Sequence, residues 1–206
     1  MVTCLTALFS CAIIYIVQRK SENRRKMFTS EQLYAMDKGF EIMKEANTFF
    51  KDFDCRRLVY PSELTEIIAG KIYEQITGHD IHLKGKSCKG DLYDATVNED
   101  IEVKSSILVN KNDLTSFGAG EEFSRILFLQ INECKETATL YDIPLSNVDI
   151  MSVIVDTKGY TYADKCAKND KDGRPRPHFS VKKWIIEKEG ILPIATVYFK
   201  EGHWQI

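Results

Sequence analysis

Proline and glycine are scarce, at 5 and 11 of 206 residues. That excludes collagen, proline-rich linkers and low-complexity disorder. No pair of cysteines forms a CxxC, and none has a histidine at metal-ligand spacing. The six cysteines, Cys4, Cys11, Cys55, Cys88, Cys134 and Cys166, therefore read as scattered reduced thiols of an intracellular protein and not as a zinc site. An excess of one charge is also missing. The 28 basic and 30 acidic side chains leave a net charge of −2, which excludes a uniformly basic, histone-like DNA binder. A local basic face would still serve a nucleic-acid substrate. No internal repeat is visible. What is present, 44% hydrophobic and 28% charged residues, suits one globular domain that needs no disulfide or metal staple.

The one long uncharged apolar run is at the N-terminus. Met1 to Gln18 carry no charge, and Arg19, Lys20, Arg24, Arg25 and Lys26 follow. Two readings stand. Eighteen apolar residues are enough for a short transmembrane helix with its basic flank in the cytoplasm. Alternatively the start codon is mis-called and Met27 begins the native chain, because Thr29-Ser30-Glu31-Gln32 reads as a helix capping box. A cleaved secretory signal fits poorly, since the charges lie on the wrong side of the run. The expected division is 1–26 as this segment and 27–206 as a single cytoplasmic domain.

Apolar residues at helical spacing predict a helix from Ser30 to about Phe50, and a second from Pro61-Ser62 that Gly78 stops. The period then changes. Short alternating runs at His79–Leu83, Asp91–Val97 and Ile101–Ser106 predict a β-meander, with Asn98-Glu99-Asp100 as one of its turns. Glu121–Ser124 reads as a helical turn. Ile126–Ile131, Thr137–Tyr141 and Ala195–Phe199 read as strands, and Val148–Val155 is ambiguous. Asp156–Arg176 reads as a polar loop, and Ser180 caps a last helix, Val181–Glu189. The order points to an α/β (α+β) domain with a central mixed β-sheet flanked by helices.

The informative stretch is Gly90-Asp91 through Glu102-Val103-Lys104. Residues two apart on a strand share a face, so Glu102 and Lys104 point one way while Ile101 and Val103 point into the opposite layer. A hairpin would bring Asp91 to the same end. Two carboxylates held close repel each other and favour a cation between them. Oxygen ligands of this kind suit Mg²⁺, which keeps waters and shares its shell with phosphate. An adjacent lysine can orient the attacking water or stabilise charge building on phosphorus. The reaction implied is metal-assisted hydrolysis of a phosphodiester. The alternative is an ordinary solvated Glu-x-Lys on a strand.

Asp91, ten intervening residues and Glu102-Val103-Lys104 resemble the PD-(D/E)xK nuclease signature, with Gly90 where proline is usual. Pro61-Ser62-Glu63-Leu64-Thr65-Glu66, Lys104-Ser105-Ser106-Ile107, Asp113-Leu114-Thr115-Ser116-Phe117-Gly118 and Gly173-Arg174-Pro175-Arg176-Pro177-His178-Phe179-Ser180 resemble small type II restriction endonucleases that cut short GC-rich sites of the GCNGC type. The likeness runs from about Tyr60 to Pro193. It implies a restriction-endonuclease-like fold, Asp91 and Glu102 as metal ligands, Lys104 as the catalytic lysine and Mg²⁺ as cofactor. Glu66 is placed where many members of the superfamily supply a further acidic ligand. Glu63 competes for that role, and a solvated helix residue is the other reading of Glu66. Asp94, three after Asp91, faces away and is left out.

Asn112, Thr115 and Ser116 follow the catalytic strand as short polar groups able to bond phosphates or base edges, or to serve a turn around Gly118. Residues 165–188 carry eight basic and three acidic side chains, a balance of +5, which fits a phosphate-facing surface. Arg174, Arg176 and Lys182 are its DNA-contact candidates, and the two arginines could instead read guanine. His178 reads as structural, and Trp184 and Trp204 as core or interface. Double-stranded DNA is the expected partner. A homodimer is expected because a palindromic site calls for two-fold symmetry, and a methyltransferase for the same site is a candidate companion. A repair or mobile-element nuclease of the same fold would differ in product pattern. An inactive DNA-binding domain would bind without cutting.

Overall fold

The computed structural model describes residues 25–26, 28–53, 55–84, 90–107, 113–118, 120–171 and 176–206. The proposed membrane segment, Met1 to Gln18, lies outside them. Among the described residues no helix is long and apolar enough to cross a membrane.

Strand β1 (Arg25–Lys26) precedes helix α1 (Ser30–Asp52), which starts at the capping box Thr29–Gln32. Helix α2 (Ser62–Thr77) ends at Gly78, whose φ of 70° is the left-handed cap that glycine adopts without strain. Then come β2 (Ile81–Lys84), β3 (Leu92–Asp94), β4 (Glu99–Ile107), β5 (Leu114–Thr115), β6 (Arg125–Asn132) and β7 (Thr137–Ile143). Helices α3 (Asn147–Ser152) and α4 (Tyr162–Lys171) follow, then β8 (Phe179–Ser180), a π-helical segment (Lys182–Ile186), the helical turn α5 (Glu187–Glu189), β9 (Ala195–Lys200) and β10 (His203–Gln205).

Among the described residues, eight strands form one mixed sheet in the order β1-β2-β3-β4-β6-β7-β9-β10, and β5 and β8 pair as a separate ribbon. Among the described residues only β4 and β6 are parallel, in register from Ile101↔Arg125 to Ile107↔Ile131. Both faces are covered. Ile101, Val103, Leu127 and Leu129 pack with Phe40, Ile68 and Ile72 of α1 and α2. Ile126, Phe128 and Ile143 pack on the other side with Phe117, Ile150, Tyr162 and Ile185. Burial on both sides explains why Ile126–Ile131 reads as a continuous apolar run.

Four sequence readings change. The hairpin turns at Ala95–Asn98, because Asp94 caps it: its carboxylate accepts from Thr96 N at 2.9 Å and bonds His79 Nδ1 at 2.6 Å. Glu99 and Asp100 thus belong to β4, opposite Asp94 and Tyr93. Residues 121–124 are irregular, not helical. Part of the expected loop at 156–176 is α4, started by Thr161 and Asp164, whose side chains bond each other's backbone N–H. Strand β10 was not expected, and it pairs with β9 at the sheet edge.

Candidate active site

Strand β4 carries two of the candidate residues, and its alternation places Glu102 and Lys104 opposite Ile101 and Val103. Glu102 is 5% exposed, and the Lys104 ammonium is ion-paired to its Oε1. The same ammonium lies 5.1 Å from the Phe117 ring centroid, on the second apolar layer.

Asp91 stands one residue before β3, where that strand parts from β4. Its N–H donates to Ile101 O at 3.0 Å, and its Oδ2 accepts the Val103 N–H at 2.8 Å. Gly90 has φ +70°, and a Cβ there would lie 3.1 Å from Ile101 O. Proline, locked near −65°, could not take this conformation.

The carboxylates lie in one another's field. Burial, with the Asp91 charge adding to it, pushes the Glu102 carboxyl up to about 7 against the pull of Lys104. Burial followed by Asp91, Glu63 and Glu102 raises Glu66 to about 7. Burial also raises Asp91 above the usual aspartate range, opposed by the Val103 N–H and by Lys104. Glu66, on α2, thus shares the field of Asp91 and Glu102. Glu63 is exposed and takes a hydrogen bond from Ser62 Oγ.

Sequence reasoning missed a fourth acid. Glu121 raises both Asp91 and Glu102, and its Oε1 pairs with Arg176 Nη1 at 2.9 Å. No local pattern marks it, since it reaches the site through tertiary packing from the irregular stretch before β6. Together these residues make a half-buried negative cluster around the Lys104 ammonium, a setting that favours a cation.

Residues 28–188 match the model of the Bsp6I restriction endonuclease family. The chain belongs to that family. It is also similar to the type II restriction enzyme Bsp6I of Bacillus sp. (strain RFL6), with 29% identity over 160 residues, covering 78% of this chain and 84% of the relative. A restriction endonuclease of the Bsp6I family is an endodeoxyribonuclease, and the mixed sheet between helices agrees with a restriction-endonuclease-like fold. The matched span contains every carboxylate described above and Lys104.

Among the described residues of this Bsp6I-family chain, no three His, Cys, Asp or Glu side chains are close enough to hold one metal ion. The donor chemistry nevertheless fits Mg²⁺, which takes one or two carboxylates and completes its shell with water and phosphate. Asp91 and Glu102 would be those two, and Glu66 lies in their field.

The DNA-contact candidates separate. Asn112 and Arg174 lie outside the described residues. Thr115 is half-buried in β5, opposite Phe179, and Ser116 follows it. The Lys182 N–H donates to Asp113 Oδ2 at 3.1 Å, and its side chain lines a cavity of about 620 Å³ with His178 and Lys183. Arg176 is half-exposed and joined to Glu121 beside Gly118, where a Cβ would lie 2.8 Å from Glu121 Oε1. Tyr162 holds this region together: its hydroxyl accepts from Phe117 N and bonds Phe117 O and Pro177 O at 2.8–3.1 Å. The sequence gives no local sign of that role.

Proposed function

We propose that this type II restriction endonuclease hydrolyses phosphodiesters of double-stranded DNA at a short GC-rich site, using Mg²⁺ held by Asp91 and Glu102, with Glu66 in their field. The observation that carries the reading is the buried Glu102–Lys104 pair beside the Val103-anchored Asp91. A bound Mg²⁺ supplies Lewis acidity at the scissile phosphate. Asp91 is oriented by the Val103 N–H. Lys104, held by Glu102, faces the phosphate and stabilises the negative charge that builds as water adds to phosphorus. One phosphorus–oxygen bond forms, one ester bond breaks, and the products are a phosphate monoester and a hydroxyl.

Thr115, Ser116, Arg176 and Lys182, with Asn112 and Arg174, are the proposed DNA contacts. A homodimer would bring one such site to each strand. A methyltransferase of the same specificity would protect the cell's own DNA, and the enzyme would act in the cytoplasm, where that DNA is. The test is cleavage of unmethylated phage DNA with Mg²⁺ and with EDTA, beside Lys104→Ala. Discrete bands that vanish with EDTA and in the variant support the reading. DNA retarded on a gel but never cut would show a binding module, and neither cutting nor binding would refute the assignment.

A further inference from the structure

The stretch between α1 and α2, Cys55 to Tyr60, belongs to neither helix, and one of its two arginines is firmly fixed. Arg57 Nη1 pairs with Glu133 Oε2 at 3.0 Å, and Glu133 is 6% exposed. Asn47, fully buried on α1, donates to the other oxygen of Glu133 at 2.6 Å. Asn47 Oδ1 in turn accepts the Leu58 N–H at 2.7 Å. A buried carboxylate is stable only with such partners, so Arg57, Asn47 and Glu133 form a clamp that pins the stretch to α1 and to the β6–β7 turn. Arg56, next in the chain, is exposed and makes no ion pair among the described residues.

Arg56 lines a cavity of about 530 Å³ together with Thr65, Ser105 and Ser106. Its floor is β4 just beyond Lys104. There β4 has lost β3, whose pairing stops at Leu92↔Ile101, while β6 remains on the other side. Ser106 Oγ is buried with no hydrogen-bond partner among the described residues. The opposing charge in the lining, Asp113, accepts the Lys182 backbone N–H. At about 3.3 Å per strand residue, Ser105 and Ser106 lie within ~7 Å of Lys104, comparable to the spacing of successive phosphates along a strand.

We propose that this cavity is a groove for the DNA backbone and that Arg56 contacts a phosphate flanking the scissile one, with Arg57 as the anchor that aims it. The proposal rests on the nuclease reading. The Ser105 and Ser106 hydroxyls and a guanidinium with no ion pair among the described residues suit phosphate oxygens, which accept hydrogen bonds from any donor regardless of sequence.

The experiment measures affinity of the full chain for a mixed-sequence duplex in EDTA, as a function of salt. Arg56→Ala should make the slope of log affinity against log salt shallower by about one, with an unchanged melting temperature. Arg56→Lys should keep the wild-type slope, because a phosphate contact needs charge and not a guanidinium fork. Arg57→Ala should lower the melting temperature, since it strips Glu133 of its counter-charge. A wild-type slope in Arg56→Ala, with the wild-type chain binding DNA, would overturn the groove alone. A wild-type chain that neither binds nor cuts DNA would overturn the nuclease reading itself.

Discussion

The Val103 backbone N–H donates to Asp91 Oδ2 at 2.8 Å, so Asp91 is held by the strand that carries Glu102 and Lys104, the other two proposed catalytic groups. This bond separates the structural work of Asp91 from its chemical work. Asparagine can still accept the N–H but carries no charge. Asp91→Asn should therefore melt close to wild type while losing cleavage by at least about a hundredfold. Asp91→Ala leaves the N–H unpaired and should melt lower as well, by roughly 1–3 kcal/mol of unfolding free energy. Denaturant unfolding beside a plasmid-cutting assay reads both. Full cutting by Asp91→Asn would remove Asp91 from the metal site.

The acid cluster predicts how stability responds to pH. Glu66 and Glu102 titrate near about 7 in the folded chain, mainly through burial. In the unfolded chain they would titrate at about 4.3. A carboxyl raised on folding favours the folded state while protonated. That contribution is complete below the unfolded value and is lost as pH rises through about 7. The melting temperature in EDTA should thus decline from about pH 5 to pH 8. Mg²⁺ should reverse the decline at the upper end, because it neutralises the ionised cluster and stabilises the folded chain by binding. A flat profile, or equal response to Mg²⁺ at pH 5 and pH 8, would contradict the assignment of these carboxylates as the cation site.

Several of these features were legible from local chemistry. The Thr29–Gln32 capping box, the stop at Gly78 and the Glu102/Lys104 face each depend on a few neighbouring residues, so spacing alone reveals them. Asp91 was legible as a candidate only, because its contact with Val103 depends on where β3 leaves β4. Glu121 and Tyr162 gave no signal, since their partners Arg176 and Pro177 are remote in sequence. Helix α4 was hidden by its polar composition. Its start was written in Thr161 and Asp164, a capping pair outweighed by the run of lysines after it. The short β10 is held by pairing with β9 and has no alternation long enough to read.

Arg176 can be assigned by its coupling to Glu121. If its guanidinium chiefly neutralises Glu121 beside Asp91 and Glu102, Arg176→Ala should slow cleavage, and Glu121→Gln in the same chain should restore much of the loss. A double-mutant cycle on kcat/KM should then show a coupling of about 1 kcal/mol or more. If Arg176 acts on DNA alone, the two effects will add, and Arg176→Ala will weaken duplex binding whatever stands at 121.

The Tyr162 hydroxyl offers the last test, because it ties Phe117 to Pro177 from the centre of the second core. Tyr162→Phe keeps the ring and its packing on Phe117 and Phe179. It leaves the Phe117 N–H and two carbonyl oxygens without this partner. Such buried groups cost about 1–3 kcal/mol when unpaired, so unfolding should shift by that amount in urea. Phe117 also supports the Lys104 ammonium. Cleavage should therefore fall alongside stability, and more steeply on warming, as Phe117 loosens its hold on Lys104. A variant as stable as wild type but slower to cut would confine the hydroxyl to the catalytic geometry. One that is less stable but cuts at the wild-type rate below its melting range would confine it to the core.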